Sequence, residues 1–538
     1  MRPLLLLLFC FPFWARAQSA APDTGAANSK KLDILFTERY NIERTDSAQQ
    51  FISLAGKVKV KQGKTIFYAD SAVLNRLENS LEAFGNVHIN DADSIHTYAQ
   101  YLKYLGKEKR AFLKNKVRLT DGKGILTTEA LEYDVSIKLG IYLQGGKLVN
   151  KKSVLTSQEG YYYGETKDVV FKRKVVLQDP ETNMKADTLQ YNTATEWVTF
   201  SSPTTVYFPK DKRTIRTREG YYDQKLKKGE LYKRSVIEDS VSTFTADEMA
   251  FDDSTGLGAF RGNAVYRGKD STEGFDLVAN DIKTNKKTNS LVATQQPLLL
   301  IKQGRDSIYV TADTLYSAKL SDLQKKRRVP WVRDALPPSL VKAKAGEDST
   351  DKFFEAYFNV RVFSDSLQAV GDSMFYGLQD SVFRLFKNPV IWAANNQING
   401  DTVYLFLRNK KMESLKVFEN ALAVSKVEGT DYLNQLKGTS LLANFLDGEL
   451  QYMRVKGSAE NVYYAQDEEK KLVGVSKSTA DLIHVFFKDN KAQKVRFENN
   501  FVGDSYPIRQ VNHESLRLRN AQWNEAMRPK SKFDILAH

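Results

Sequence analysis

The residues able to do acid–base, nucleophilic or metal chemistry are few and scattered in this sequence. The five histidines are His88, His96, His484, His513 and His538. None forms a metal-ligand pair at a helical spacing, and neither H-E-x-x-H nor G-x-S-x-G occurs. Gly63-Lys64-Thr65 has the ending of a phosphate loop, but Val58 stands where that loop needs its first glycine. Aspartates at a recurring phrase position come about once in thirty residues, too sparsely for the clustered oxygens that calcium requires. No carboxylate pair is singled out for glycoside cleavage. The residue types therefore offer no catalytic residue, no metal ligand and no cofactor site, and enzyme activity is not expected.

What the sequence offers instead is a repeated phrase. Ala-Asp-Thr-Leu occurs at 186–189 and again at 312–315. Its looser form is small-acidic-x-apolar-x-aromatic, as at 128–133, 186–191 and 246–251. A second phrase lies between the copies, as in Gly85-Asn86-Val87, Asn115-Lys116-Val117 and Gly262-Asn263-Ala264-Val265. Copies fall roughly thirty residues apart, within the range of repeat architectures. Each unit is an alternating segment, a polar turn, a second alternating segment and another turn. Apolar–polar alternation means strands with one buried face. The 26 tyrosines and 30 phenylalanines strengthen the strand reading. One unit cannot bury its apolar face alone, so units must stack. The expectation is an all-β, elongated, repeat-built antiparallel structure in which the aspartate marks a strand start.

The ends and the break divide the chain. Met1-Arg2-Pro3, the apolar run Leu4 to Trp14 and Ala15-Arg16-Ala17 make a secretory signal, with cleavage expected after Ala17. The run is too short to span a bilayer, and nothing after Trp14 is apolar for long enough. Cys10 lies inside this signal, which leaves the mature chain without thiols. Loss of Arg2 and Arg16 lowers the formal charge from +14 to +12. Outside the cytoplasm such an excess favours anionic surfaces or lipids over nucleic acid. The repeats stop at 322–351, where Lys325, Lys326, Arg327 and Arg328 precede Pro330, Pro337 and Pro338. The expected organisation is a signal at 1–17, a lead-in at 18–50, a β-domain at 51–321, a basic linker at 322–351, a second β-domain at 352–508 and a loosely packed polar tail at 509–538. The four basic residues are the candidates for docking on an anionic surface.

The alternation of Gly85-Asn86-Val87 and Gly262-Asn263-Ala264-Val265 with Ala186-Asp187-Thr188-Leu189-Gln190-Tyr191 resembles the OstA-like family. That family includes LptA and the N-terminal domain of LptD, and the resemblance is nearest to the larger members from Bacteroidetes-type bacteria. It implies a β-jellyroll of two facing sheets, open along one side like a V, whose apolar lumen shields acyl chains of lipopolysaccharide. It also implies a periplasmic location, associated with the outer membrane. The implied partners are the lipid A acyl chains, other jellyroll proteins of a transport bridge joined by edge-strand addition, and further copies of this chain. No nucleic acid is implied. The lumen columns expected on this reading are Val87, Val117, Leu148, Val176, Val206, Val236 and Val265, with Leu102, Leu131, Leu189, Met249, Ile282 and Leu315 as companions. Two other readings stand beside it: an envelope β-scaffold that binds proteins without conducting lipid, and a repeat-built carbohydrate-active enzyme.

Overall fold

The computed structural model describes residues 31–44, 50–269, 273–303, 306–329, 351–393, 395–408, 411–467, 469–489 and 491–535. The expected signal and the prolines Pro330, Pro337 and Pro338 lie outside them. Contacts divide the chain into two compact units, Met1–Gly146 with Tyr163–Glu165, and Lys147–Tyr162 with Thr166–His538. No described helix is long and apolar enough to cross a membrane.

In the first unit six long strands form an antiparallel meander: Gln50–Gln62, Thr65–Asn75, Ser80–Asp91, Ile95–Leu105, Arg110–Thr120 and Gly124–Asp134. Every one breaks register near its middle. Between the first two, Phe51↔Asn75 to Ala55↔Ser71 is one ladder and Val58↔Ala69 to Gln62↔Thr65 is another. The later pairs slip at Phe84/Val87, Tyr98/Tyr101 and Lys114/Val117. Each strand thus serves two sheets, and the slip is the corner between them. The sheets face each other, since Phe67 of one meets Tyr104 of the other with ring centroids 4.5 Å apart.

The second unit keeps this plan and separates the two ladders. Strand Asn183–Asn192 pairs through 189–191 with Trp197–Phe200 and through 183–186 with Thr204–Phe208. One ladder continues through Glu219–Asp223, Lys228–Tyr232 and Glu248–Asp252. The other continues through Arg213–Thr217, Ser235–Glu238 and Ser242–Ala246. The long strand Leu257–Gly268 rejoins them.

The repeated phrases meet at the corners. Gly85, Asn86, Asn115, Lys116, Arg173, Lys174, Gly262 and Asn263 all have positive φ, and these bends let one strand change sheets. The acid of the other phrase clasps many of these bends. Asn86 Nδ2 donates to Asp70 at 2.9 Å and Asn263 Nδ2 to Asp247 at 2.8 Å. Asn359, Asn420 and Asn500 do the same to Asp313, Asp401 and Asp481. Elsewhere an ion pair replaces the amide, as in Lys57–Glu38 and Arg173–Glu159. Ala-Asp-Thr-Leu therefore marks a corner, inside a strand at 186–189 and directly before the strand start Thr314 at 312–315. At 186–189 the ladder changes partner between Ala186 and Leu189, and at 312–315 Asp313 lies between strands Asp306–Thr311 and Thr314–Ala318.

The polar tail is held firmly, in contrast to the sequence expectation. Leu516, Leu518 and Ala521 pack against Leu422, Val424, Val462, Tyr464 and Val475, and Trp523 against Trp392. Gln397 donates to the Gln522 carbonyl at 2.9 Å and accepts from the Asn524 amide at 2.7 Å. Arg528 reaches Gln368 at 2.8 Å. A sheet covered on both faces loses its alternation, which is why Val390–Ala393 is buried at all four positions. The stretch from 322 begins inside a short helix, Leu320–Lys326. The strands flanking it pair directly, from Thr314↔Tyr357 to Ala318↔Phe353.

At the corner, a Cβ on Gly85 would lie 2.4 Å from Asp70 Oδ2, at φ +69°. Gly85→Ala is expected to lower unfolding free energy by about 1–2 kcal/mol, the left-handed penalty, plus the clash. Adding Asp70→Ala should recover the clash component, and urea titration of the single and double variants measures that coupling.

Candidate functional site

The candidate site is the interior between the two sheets and the line where their free margins meet. Of the thirteen expected lumen residues, ten point inward and are buried: Val87, Leu102, Val117, Leu131, Leu148, Leu189, Val206, Met249, Ile282 and Leu315. Val176, Val236 and Val265 are only half-buried, on the opposite face. Their inward neighbours are Val175, Ser235 with Ile237, and Ala264. The difference is a single residue of register, and one residue flips a side chain to the other face. Aligning the phrases on their bends (Asn115-Lys116, Arg173-Lys174, Gly262-Asn263) selects Val117, Val175 and Ala264.

The margins opposite the corners are tied by a polar seam that the sequence reading missed. In the first unit the Tyr104 hydroxyl donates to Gln62, whose amide donates to the Gly106 carbonyl at 3.0 Å. The Tyr133 hydroxyl donates to Asp91 at 2.7 Å, Thr65 donates to the same carboxylate at 2.9 Å, and Lys138 reaches Ser94 at 3.3 Å. In the second unit Asn150 donates to the Tyr191 hydroxyl at 3.0 Å and the Thr193 carbonyl at 2.8 Å. Lys151 pairs with Glu196, and Lys227 with Glu181 at 2.8 Å. Arg213 then clasps Asp253 with two bonds of 2.6 Å. Burial pushes the Tyr191 phenol up to about 12 and raises Tyr104 and Tyr222 further, so these hydroxyls stay neutral. The signal was present: Tyr104, Tyr133, Tyr162 and Tyr191 recur at equal steps, each two residues beyond a buried position, Leu102, Leu131, Gly160 and Leu189.

Residues 30–187 match the family model described as OstA-like protein. Over that stretch the chain is OstA-like. A similar solved structure is that of LptH, the LptA homologous periplasmic component of the conserved lipopolysaccharide transport device from Pseudomonas aeruginosa. It is 15% identical, the match covers 20% of this chain and 83% of that one, and the TM-score is 0.19. No curated protein matches the sequence. The OstA-like stretch holds the whole described meander of the first unit, its seam, and the start of the second unit.

The other sequence candidates lie outside the interior. Lys325 pairs with Asp322 at 2.9 Å, and Arg327 folds back onto Glu355 and over the Phe375 ring. Lys326 and Arg328 are exposed. His88 and His96 come together on the outer face of the OstA-like stretch, Nε2 to Nδ1 3.1 Å, with His88 stacked between Tyr68 and Tyr98. Among the described residues no cluster of three or more His, Cys, Asp or Glu could hold a metal.

Tyr133→Phe leaves the buried Asp91 short of a donor, and a stability loss of about 1–3 kcal/mol is expected in chemical denaturation. Burial, then the His96 charge, lower the pKa of His88. The unfolded chain therefore takes up this proton first as pH falls, and the contribution is lost on acidification below about 6.5. His88→Phe should flatten the melting-temperature profile between about pH 5 and 7.

Proposed function

We propose that this protein is a periplasmic component of lipopolysaccharide transport or outer-membrane assembly that shields acyl chains between its two sheets. The observation carrying this reading is the inward apolar column from Val87 to Leu131 in the first unit and, in the second unit, an inward column of its own that includes Leu189, Met249, Ile282 and Leu315. A long acyl chain exposed to water costs on the order of 10 kcal/mol at about 0.8 kcal/mol per methylene. An apolar column backed by hydrogen-bonded sheets removes that cost without unsatisfied backbone. The corners act as the fixed side and the seam as the side that parts. Each seam bond contributes only about 1 kcal/mol net, which acyl burial offsets.

Partners of like fold would add at strand edges. Asp33–Phe36 and Arg39–Arg44 both pair with Gln50–Gln62 and leave Leu35, Phe36, Tyr40 and Ile42 exposed. Such an edge is open to strand addition by another jellyroll protein or a second copy. Lys326 and Arg328 are the basic residues left for an anionic surface. A second reading, a β-scaffold that binds envelope proteins without carrying lipid, is favoured by the near-complete burial of the inward residues within the protein.

Photo-cross-linking separates the two. A benzophenone amino acid replaces inward Leu189 or its outward neighbour Gln190 in envelopes that make lipopolysaccharide. Lipid A attached at 189 and absent at 190 is the expected result. Protein adducts at 190 with no lipid at either position would establish the scaffold instead.

A further inference from the structure

Among the described residues the seam has a lapse. Beyond the Arg213–Asp253 clasp, the next margin pair is the turn 239–242 on one sheet and 285–289 on the other. Asp239 accepts only from its own turn, Val241 N at 2.9 Å and Ser242 N at 2.8 Å. Asn285 accepts from Lys287 N at 2.9 Å, again within its own turn. Among the described residues no hydrogen bond or ion pair joins these two turns. The reason lies in the tyrosine column. The positions two residues beyond Leu102, Leu131 and Leu189 are Tyr104, Tyr133 and Tyr191, but beyond Met249 comes Phe251 and beyond Ile282 comes Thr284. Thr284 pairs with Gly258, so two small residues stand side by side where the earlier rungs carry phenols.

A cavity of about 190 Å³ opens there. Phe244, Phe260, Tyr266 and Phe275 form a continuous aromatic wall, with centroids 4.3 to 5.0 Å apart. Val241 and Leu257, 58% and 53% exposed, stand at the mouth. Arg213 lines the cavity too. It is buried, and its Nε–H has no acceptor. Of the carboxylates around it, Asp253 is held by Arg213, Asp252 by Lys228 at 3.2 Å and Glu238 by Arg216 at 2.9 Å, while Asp239 is held only within its own turn. Lys286 has no ion pair among the described residues. It is exposed by surface area, yet its ammonium is hemmed in enough that desolvation, then Arg213, lower its pKa. Lys286 therefore lacks an ion-paired carboxylate, and Arg213, held by Asp253, keeps one N–H without an acceptor.

We propose that this gap is an entry port for one hydrocarbon chain of an anionic amphiphile, with the chain against Phe244 and Phe260 and the head group on Lys286 and the Arg213 Nε–H. The volume lies below the 300–1,000 Å³ of ordinary ligand pockets, so it takes a single chain end. The port rests on the acyl-shielding reading and adds where a chain enters.

The test is calorimetric titration of the mature chain with dodecyl phosphate below its micelle concentration. Dodecyl maltoside and inorganic phosphate serve as probes of chain alone and anion alone. Saturable one-to-one binding of dodecyl phosphate is expected. Lys286→Gln, an exposed position that leaves the fold intact, should weaken it about tenfold or more, and Lys286→Arg should retain it. Thr284→Tyr restores the seam phenol and should abolish binding. Equal affinity for the maltoside, displacement by inorganic phosphate, or indifference to both Lys286→Gln and Thr284→Tyr would overturn the port. Lipid labelling at Leu189 together with such indifference removes the port and leaves the acyl-shielding reading. Binding that depends on Lys286 with no lipid at Leu189 keeps the port and removes the longer conduit.

Discussion

A strand that serves two sheets must turn sharply while keeping the same side chains inward, and this constraint governs both units. An ordinary strand cannot do it, because alternation would send the next residue to the wrong face. A bulge residue at positive φ absorbs the turn. Glycine tolerates that backbone readily and asparagine better than most residues, yet here lysine and arginine also occupy it at Lys57, Lys116, Arg173 and Lys174. The local cost at such bends is met by the acid opposite. Many of these bends are clasped by Asp or Glu from the neighbouring strand, through an amide or an ion pair. The exposed ion pairs contribute little singly, but they recur at corner after corner where the backbone is most constrained.

With the corners fixed, the free margins decide what the interior can hold. The phenols of Tyr104, Tyr133 and Tyr191 are fully buried and hydrogen-bonded across the gap. They close the interior without making it polar, since each ring is apolar along its body and polar only at its tip. The closure is side-chain deep and involves no backbone ladder, so it can part while the sheets stay intact. Where the column changes from tyrosine to phenylalanine and then threonine, closure stops, and an aromatic wall is reached from outside beside Lys286, which has no ion pair among the described residues. One substitution pattern in one column thus sets where the interior is accessible.

The second unit is completed from its C-terminus. Residues 516–528 lie across the outer face of the ladder that includes Val390–Ala393, and they account for buried Gln368, Gln397 and Gln435, each of which bonds the tail. Buried glutamines in a strand are costly unless partnered, so the tail and these side chains must fold together.

The sequence alone carried the all-β class, the repeat, the two phrases and the inward direction of ten of thirteen column residues, because period-two alternation reports a buried face directly. It could not place Val176, Val236 and Val265, whose faces depend on where the bulge falls. Nor could it show that Asp247 meets Asn263, or that Tyr133 meets Asp91 from the facing sheet, since alternation records which residues share a face and not which faces meet. The tail read as loose because its few apolar residues, Leu516, Leu518, Ala521 and Trp523, have no periodicity of their own; their partners belong to strands far away in sequence. Only the tertiary structure decided closure and opening. A missing phenol at Thr284 has meaning only when the opposite margin, with Asp239 and Ser242, is brought beside it.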